Sequence, residues 1–499
     1  MNQNTSSAPT GSIPEAEAPK YPRGLYTLFF TEMWERFSYY GMRALLVLFM
    51  VDTVQHGGLG LSDKTATAIY GLYTAGVYLM ALPGGWVADR LLGAQRAVWY
   101  GGIVITAGHF SLAIPSTATF YLGLLLLVLG TGLLKPNISA IVGQLYPEGG
   151  ARRDAGFTIF YMGINLGATL GPLVCSALGE KVNWHYGFGA AGIGMILGLV
   201  QYKLTAPHLG EAGKRPGHAE PAGARHWGIL WVGLAAVAVL VVLIWTGIVV
   251  PDPLAIARNT TAFILSLAGL YFTYLLLFSD LTGPEKKRIG VVLVLFISSA
   301  MFWSGFEQAG SSLNIFADRY TQRVFSGHEI PAGWFQSLNP AFIISLAPLV
   351  ASLWLALSRR GRDIPLPLKF AVGLVLLGLG FLVMAIASKT ALASGRVWPT
   401  WLILTYFLHS VGELFLSPVG LSSVTKLAPL RLSGQMMGIW FLATSLGNLM
   451  AGLIAGEVSG DSAGQMPARF MQIVLSTCGT AVLLAILARP IQRLMGGVK

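Results

Sequence analysis

Residues 97–134 read AVWYGGIVITAGHFSLAIPSTATFYLGLLLLVLGTGLL, an unbroken run without Asp, Glu, Lys or Arg. A helix that crosses a bilayer needs about 20 mostly apolar residues. The run is long enough for two, with the break at Pro115-Ser116-Thr117. Its apolar residues are continuous rather than alternating, which favours helices over barrel strands.

The same pattern extends in both directions. Further charge-free windows lie at 65–88, 155–179, 182–202, 227–250, 259–279 and 289–306, then at 332–358, 370–388, 397–412, 432–456 and 470–488. Each holds one span. A further apolar segment, 25–51, is interrupted by charge, and with it the count is about fourteen. The composition agrees. Of 499 residues, 54% are hydrophobic and only 11% are charged, against roughly 25% in an ordinary soluble domain. That is too little charge for a polar skin, so the predicted class is an all-α membrane protein.

The net charge of +11 could suggest nucleic acid, but its distribution points elsewhere. Residues 1–24 are polar and lack the apolar core of a cleavable signal peptide, which places the N-terminus in the cytoplasm. With alternating spans, 22 Lys and Arg fall in cytoplasmic segments, Lys20, Arg215 and Lys499 among them, and 8 fall outside. This bias predicts an even number of spans with both termini inside, and no nucleic-acid partner. Cys175 and Cys478 lie in apolar segments far apart, as buried small hydrophobes rather than a disulfide or metal site.

The organisation reads as a tail at 1–24, six spans over 25–204 and a polar Pro/Gly/Ala/His-rich linker at 205–226. Two very apolar accessory spans follow at 227–280. Six more spans occupy 281–490, with a tail at 491–499. The accessory spans hold almost nothing polar and are expected to face lipid. Six plus six suggests the major facilitator architecture, with a site between pseudo-symmetric halves. The stretch Gly85-Trp86-Val87-Ala88-Asp89-Arg90, between spans two and three, resembles the Gly-x-x-x-Asp-Arg motif of that superfamily. Ser358-Arg359-Arg360-Gly361-Arg362 is a degenerate echo in the second half. Asp89 and Arg90 are expected to clasp the cytoplasmic ends, Asp89 by capping a helix or pairing with an Arg.

Seven charges fall inside predicted spans: Glu32, Glu35, Arg36, Arg43, Lys135, Glu307 and Glu413. An ionised group near the bilayer centre costs about 2.5–3.5 kcal/mol on insertion scales, so such groups line cavities and pair. At ~100° per residue, Glu32, Arg36, Tyr39 and Arg43 share one face of the first span, flanked by Glu35 and Tyr40. Other spans add Tyr161 with Asn165, Trp303 with Glu307, and Glu413 with Ser417, each four residues apart. Gln308, Ser311, Ser312 and Asn314 follow Glu307.

At these residues the sequence resembles the proton-dependent oligopeptide transporters, a branch of the major facilitator superfamily, in their bacterial fourteen-helix form. Glu32-Met33-Trp34-Glu35-Arg36-Phe37-Ser38-Tyr39-Tyr40-Gly41 matches that family's E-x-x-E-R-F-x-Y-Y-G signature. Gly132 to Ser139, around Lys135-Pro136-Asn137, matches its fourth-span motif. Phe160-Tyr161-Met162-Gly163-Ile164-Asn165-Leu166-Gly167 matches F-Y-x-x-I-N-x-G. Phe302-Trp303, Phe306-Glu307-Gln308, the run Trp334 to Pro340 and the run Gly412 to Pro418 match later spans.

The resemblance implies proton-driven import of di- and tripeptides across a bacterial inner membrane. It implies no cofactor beyond the coupling proton, lipid as surroundings and function as a monomer. It assigns proton coupling to Glu32, Glu35, Arg36, Lys135 and Glu307. Peptide contacts carry over to Arg43, Tyr39, Tyr40, Tyr78, Asn165, Trp303, Asn339, Glu413 and Trp440, with Lys135, Glu307 and Ser417 also at the substrate. In this reading Glu413 attracts the peptide N-terminus, and Arg43 and Lys135 attract its carboxylate. The Tyr and Asn side chains bond its backbone, and Trp303 and Trp440 wall loose side-chain pockets. A proton on Glu307 would break its pair with Lys135 or Arg43 and free that base.

One departure stands out. Animal members carry a histidine in the run Ala-Ile-Tyr-His, where this chain has Ala68-Ile69-Tyr70-Gly71. His109 is the intramembrane histidine nearest in sequence, and a packing role is expected for it. Competing readings are another substrate on the same scaffold (nitrate, another organic anion or a drug), an enzyme, or a channel. Gly460-Asp461-Ser462-Ala463-Gly464 fits Gly-x-Ser-x-Gly, but it lacks the strand-to-helix context that motif needs. The protein is therefore not read as an enzyme.

Overall fold

The structure, a computed structural model, describes residues 21–148, 150–214, 216, 223–362, 364–459 and 463–496. Lys20, Arg215, Lys499, Asp461-Ser462 and nearly all of the tail at 1–24 lie outside the described residues.

Fourteen long helices run through the described residues. The first six are α1 (Arg23–Val51), α2 (Asp63–Leu92), α3 (Ala94–Leu112), α4 (Thr117–Gln144), α5 (Gly150–Lys181) and α6 (Trp184–Thr205). Next come α7 (Ala224–Trp245) and α8 (Pro253–Thr273). The last six are α9 (Gly283–Phe306), α10 (Leu338–Arg359), α11 (Leu366–Ser394), α12 (Thr400–Leu427), α13 (Ser433–Ser459) and α14 (Met466–Ile486).

Twelve of these are long and apolar enough to cross a membrane on length and composition alone. The other two are α1, whose apolar windows are broken up by Glu32, Glu35, Arg36 and Arg43, and α3, which has 19 residues and carries Gln95, Arg96 and His109. Both pack among the twelve. The break expected at Pro115-Ser116-Thr117 falls between α3 and α4.

The packing scheme repeats. In the first six helices α1 packs on α5, α3 on α4, and α3 on α6. In the last six α9 packs on α13, α11 on α12, and α11 on α14. The two bundles meet along α2–α13 and α5–α10. This is the major facilitator architecture.

The signature glycines let backbones approach. A Cβ on Gly167 would collide with the carbonyl of Met33, and one on Gly41 with Cys175, so α1 and α5 touch only because both positions lack a side chain. At the α2–α13 crossing, a Cβ on Gly71 would lie 3.1 Å from the Cα of Gly452. A larger side chain there would have to push the two backbones apart.

Three local expectations need correction. Asp89 and Arg90 do not lie in a loop. The helix continues through Leu92 in one wide turn, and the reversal falls on Gly93, whose φ of 80° only glycine adopts easily. Asp89 is exposed and, among the described residues, neither caps a helix nor pairs with a base. The α9 span does not carry Glu307 to Asn314 on one helix. It tightens into a 3₁₀ turn at Glu307–Gly310, where the Tyr70 ring fills the space a Gly310 side chain would need, and a short helix restarts at Ser312–Tyr320. Finally, of the two accessory helices only α7 buries no residue, touching the rest of the protein at its first turn, where the His226 ring lies 6.1 Å from that of Trp86. The α8 helix buries Ala257, Ile264, Ala268 and Phe272 against α2 and α13.

His109 is fully buried as expected, yet neither ring nitrogen has a partner among the described residues. Cys175 is buried and Cys478 half-buried, and both are free.

Candidate functional site

The charged residues of α1 form two groups on one stripe. Nearer its start, the Arg36 guanidinium lies between two carboxylates. Its Nε is 3.3 Å from Glu32 Oε1 and in direct contact with Glu35, and the guanidinium sits over the Tyr39 ring, 4.9 Å from the centroid. All three ionic groups are buried. Glu32 Oε2, Glu35 Oε1 and Arg36 Nη2 find no partner among the described residues. Two acids around one base carry a net −1, and their open valences leave room for a proton.

Two turns further on, Arg43 crosses to the other bundle. Its Nη2 lies 2.7 Å from Glu307 Oε2, with both side chains only 6% exposed. This contact is an ion pair rather than an aligned hydrogen bond, because Glu307 Oε2 is left without an N–H directed at it. Such a pair is held by charge more than by geometry. The 3₁₀ turn Glu307–Gly310 places the carboxylate. Tyr70 of α2 donates to the Glu307 carbonyl at 3.2 Å, and the Arg43 guanidinium lies 5.5 and 5.6 Å from the Tyr40 and Tyr70 rings. Of the two bases expected opposite Glu307, Arg43 makes the pair. Lys135 instead sits with Nζ 4.3 Å from the Tyr78 ring centroid.

Arg43 and Glu307 form one wall of a cavity between the bundles, with an empty volume of about 870 Å³. The first bundle also contributes Tyr40, Tyr78, Tyr161 and Asn165, and the second contributes Trp303, Asn339, His409 and Glu413. Asn339 donates to Glu413 Oε2 at 3.1 Å and to Ser410 Oγ at 3.0 Å, so α10 fixes the carboxylate of α12. The buried Trp303 Nε1 has no partner among the described residues and remains a free donor.

Eight expected residues therefore line one cavity: Tyr40, Arg43, Tyr78, Asn165, Trp303, Asn339, Glu307 and Glu413. Tyr39 does not. Its ring stacks on Tyr73 at 6.2 Å, behind the wall. Lys135 and Ser417 also lie off the lining. Trp440 is buried with its ring against Gly420 of α12, where a Cβ would overlap it, so its side chain fills a helix contact instead of a side-chain pocket. The sequence reading missed Gln336, Tyr406 and His409. His409 is one helical turn before Glu413 on α12, so its spacing was a usable signal.

The cavity is closed at the end remote from residue 21. There Arg319 makes a bidentate pair with Asp63 at 2.7 and 2.8 Å. Glu180, at the end of α5, accepts from the backbone N–H groups of Ala332 and Gly333 at 2.6 and 2.9 Å and faces Arg323 at 3.7 Å. Lys181 donates to Glu329 at 2.6 Å, on a small hairpin, Val324–Phe325 with His328–Glu329. That hydrogen bond holds the Glu329 carboxyl below the usual carboxylate range. Trp334 Nε1 donates to the Leu173 carbonyl, and Ser337 Oγ to that of Thr169.

A charged cavity shared by two bundles and latched at one end is useful when the bundles move against each other. That defines a membrane transporter of the major facilitator class. The chain belongs to the POT family, whose sequence profile matches residues 95–466. It is 43% identical to the peptide transporter YePEPT of Yersinia enterocolitica over 491 residues, 96% of each chain. It is 38% identical to the di-/tripeptide transporter of Lactococcus lactis subsp. cremoris, covering 96% of this chain and 97% of that one. Among solved structures, a crystal structure of peptide transporter POT in complex with sulfate superposes with a TM-score of 0.88 at 42% identity, covering 97% of this chain and 98% of that one. The protein is an integral membrane transporter and not an enzyme.

Proposed function

We propose that this protein is a proton-coupled symporter that imports di- and tripeptides by alternating access. The observation that carries this reading is the buried Arg43–Glu307 pair, which joins the two bundles inside the cavity. With Glu307 ionised, its charge satisfies Arg43 and competes with a peptide carboxylate for the same guanidinium. A proton on Glu307 removes the competitor. Arg43 then takes the peptide carboxylate, while Glu413, held by Asn339, faces the ammonium. A zwitterion bound this way spans both bundles and draws them together. Release of the proton toward the other side restores the Arg43–Glu307 pair and expels the carboxylate.

Tyr40, Tyr78, Asn165 and Asn339 offer hydroxyl and amide groups to the peptide backbone, and Trp303 walls a side-chain space. The Glu32/Glu35/Arg36 set, with its net −1 and unpaired oxygens, supplies a second proton site in the same stripe. Lys135 stands by as the second base for the carboxylate. Asp89 and Arg90 act at the neighbouring helix ends during opening.

The Lys and Arg bias supports both termini in the cytoplasm, and the bacterial relatives support the inner membrane as the site. The latched end then faces outward, and the bundles at 25–204 and 281–490 rock about α2–α13 and α5–α10, each monomer working alone. The test is uptake of dialanine by purified protein in proteoliposomes under an imposed pH gradient. Lys135→Ala should impair it. Full uptake in that variant would remove Lys135 from the relay.

A further inference from the structure

The surface between α11 and α14 carries a furrow that the transport cycle does not use. Deep in the membrane the two helices touch closely, and a Cβ on Gly378 would meet Cys478 Sγ and Thr477 Oγ1. Toward the end of the molecule that carries residue 21 the helices part. The gap has an empty volume of about 1130 Å³ and is lined by Leu368, Val372, Val375, Val482 and Ala485, with Arg362 at its mouth.

Two observations say what fills it. The first is length. From Leu368 to Leu376 the helix rises roughly 12 Å at 1.5 Å per residue, and one leaflet of a hydrocarbon core about 30 Å thick is roughly 15 Å deep. The furrow thus runs from the interface to near mid-membrane, as an acyl chain does. The second is charge. The turn at the mouth carries three bases, Arg359, Arg360 and Arg362, around Gly361; in the sequence one acid, Asp363, follows them, for a formal net +2 over 359–363. Arg359, Arg360 and Arg362 are exposed, and so is Arg489, in the short helix Ala488–Leu494 that follows α14. Among the described residues none of these four arginines has a carboxylate partner. A basic rim over an apolar furrow is the arrangement that holds anionic lipid head groups beside membrane helices.

We propose that this furrow binds an anionic phospholipid of the leaflet on that side, with one acyl chain between α11 and α14 and the phosphate at Arg362 and its neighbours. Full-length delipidated protein in detergent is titrated with palmitoyl-oleoyl phosphatidylglycerol, with the phosphatidylcholine of the same chains, and with glycerol phosphate. The expected result is a saturable rise in melting temperature with phosphatidylglycerol. Phosphatidylcholine should not match it, and glycerol phosphate should give none. The Arg359→Gln/Arg360→Gln/Arg362→Gln variant should lose the difference between the lipids. Val482→Trp, which fills the furrow from an exposed position, should lose it too. Lys286→Gln/Lys287→Gln, at the start of α9, should keep it. Equal shifts with both lipids, a full shift with glycerol phosphate, or an unchanged lipid preference in either furrow variant would overturn the proposal.

Discussion

Glu307→Gln keeps the shape of the side chain and deletes the charge that faces Arg43. At 2.7 Å and an effective dielectric near 20, the attraction between the two is about 6 kcal/mol. Breaking a buried pair by removing one partner costs about 3–5 kcal/mol, because the other charge is left uncompensated. In the variant, the bare guanidinium is available to a peptide carboxylate at every pH. Dipeptide binding should therefore lose its improvement on acidification, and binding should stabilise the variant more than the wild type. Coupling should fail at the same time. One proton crossing 100 mV supplies about 2.3 kcal/mol, enough to concentrate a neutral dipeptide roughly 40–50-fold at about 1.4 kcal/mol per tenfold. Labelled dialanine in proteoliposomes, at equal pH on both sides and about 100 mV negative inside, gives the readout. The wild type should approach that ratio, while Glu307→Gln should equilibrate at about onefold yet still exchange labelled for unlabelled peptide. Accumulation above about tenfold in the variant would refute Glu307 as the coupling carboxylate.

Other expectations follow from the same geometry. Glu180→Gln should loosen the latched end, since it weakens a buried contact with Arg323 and two backbone N–H groups; distance measurements between spin labels on α5 and the hairpin should broaden toward an open population. Glu329→Gln should loosen that end at neutral pH and change nothing in strong acid. The carboxyl is held below its usual range, so its contribution is present at neutral pH and is lost as pH falls through the lowered value; opening of the latch against pH checks this. Gly71→Ala should destabilise the protein by about 1–3 kcal/mol, because its methyl would press on the backbone of Gly452 and Asn448 at 3.1 and 3.2 Å in the α2–α13 crossing, and a melting curve in detergent reads it. Trp440→Ala should cost about 3–5 kcal/mol of stability while changing dialanine affinity much less than Trp303→Ala does, as a titration of each would show.

The spans and the charged part of the site were legible in the sequence for one reason. Membranes exclude charge, so the seven charged residues inside apolar spans mark the polar interior, and three of them, Arg43, Glu307 and Glu413, line the cavity; Tyr78 and Asn339 came only from the family resemblance. The α1 stripe followed from helical spacing alone. Spacing fails where the helix itself fails. The 3₁₀ turn at Glu307–Gly310 packs against Tyr70 of a distant helix, and no periodicity in 289–314 announces it. Which base meets Glu307 was likewise open, since Arg43 and Lys135 differ only in how α1 and α4 face the other bundle. Trp440 misled because an aromatic on a core helix reads the same whether it walls a cavity or packs on a glycine such as Gly420. His409 was hidden for the opposite reason, being a single polar residue one turn from a more conspicuous acid.

The most direct test of the central claim is uptake by the purified wild-type protein across a panel of di- and tripeptides, with and without a pH gradient and membrane potential. Proton-coupled exchange at the Arg43–Glu307 pair predicts accumulation well above equilibrium for peptides of differing side chains, together with inward proton movement and collapse to equilibrium when a protonophore is added. Peptide levels that equilibrate but never exceed the outside concentration under a maintained gradient would contradict it.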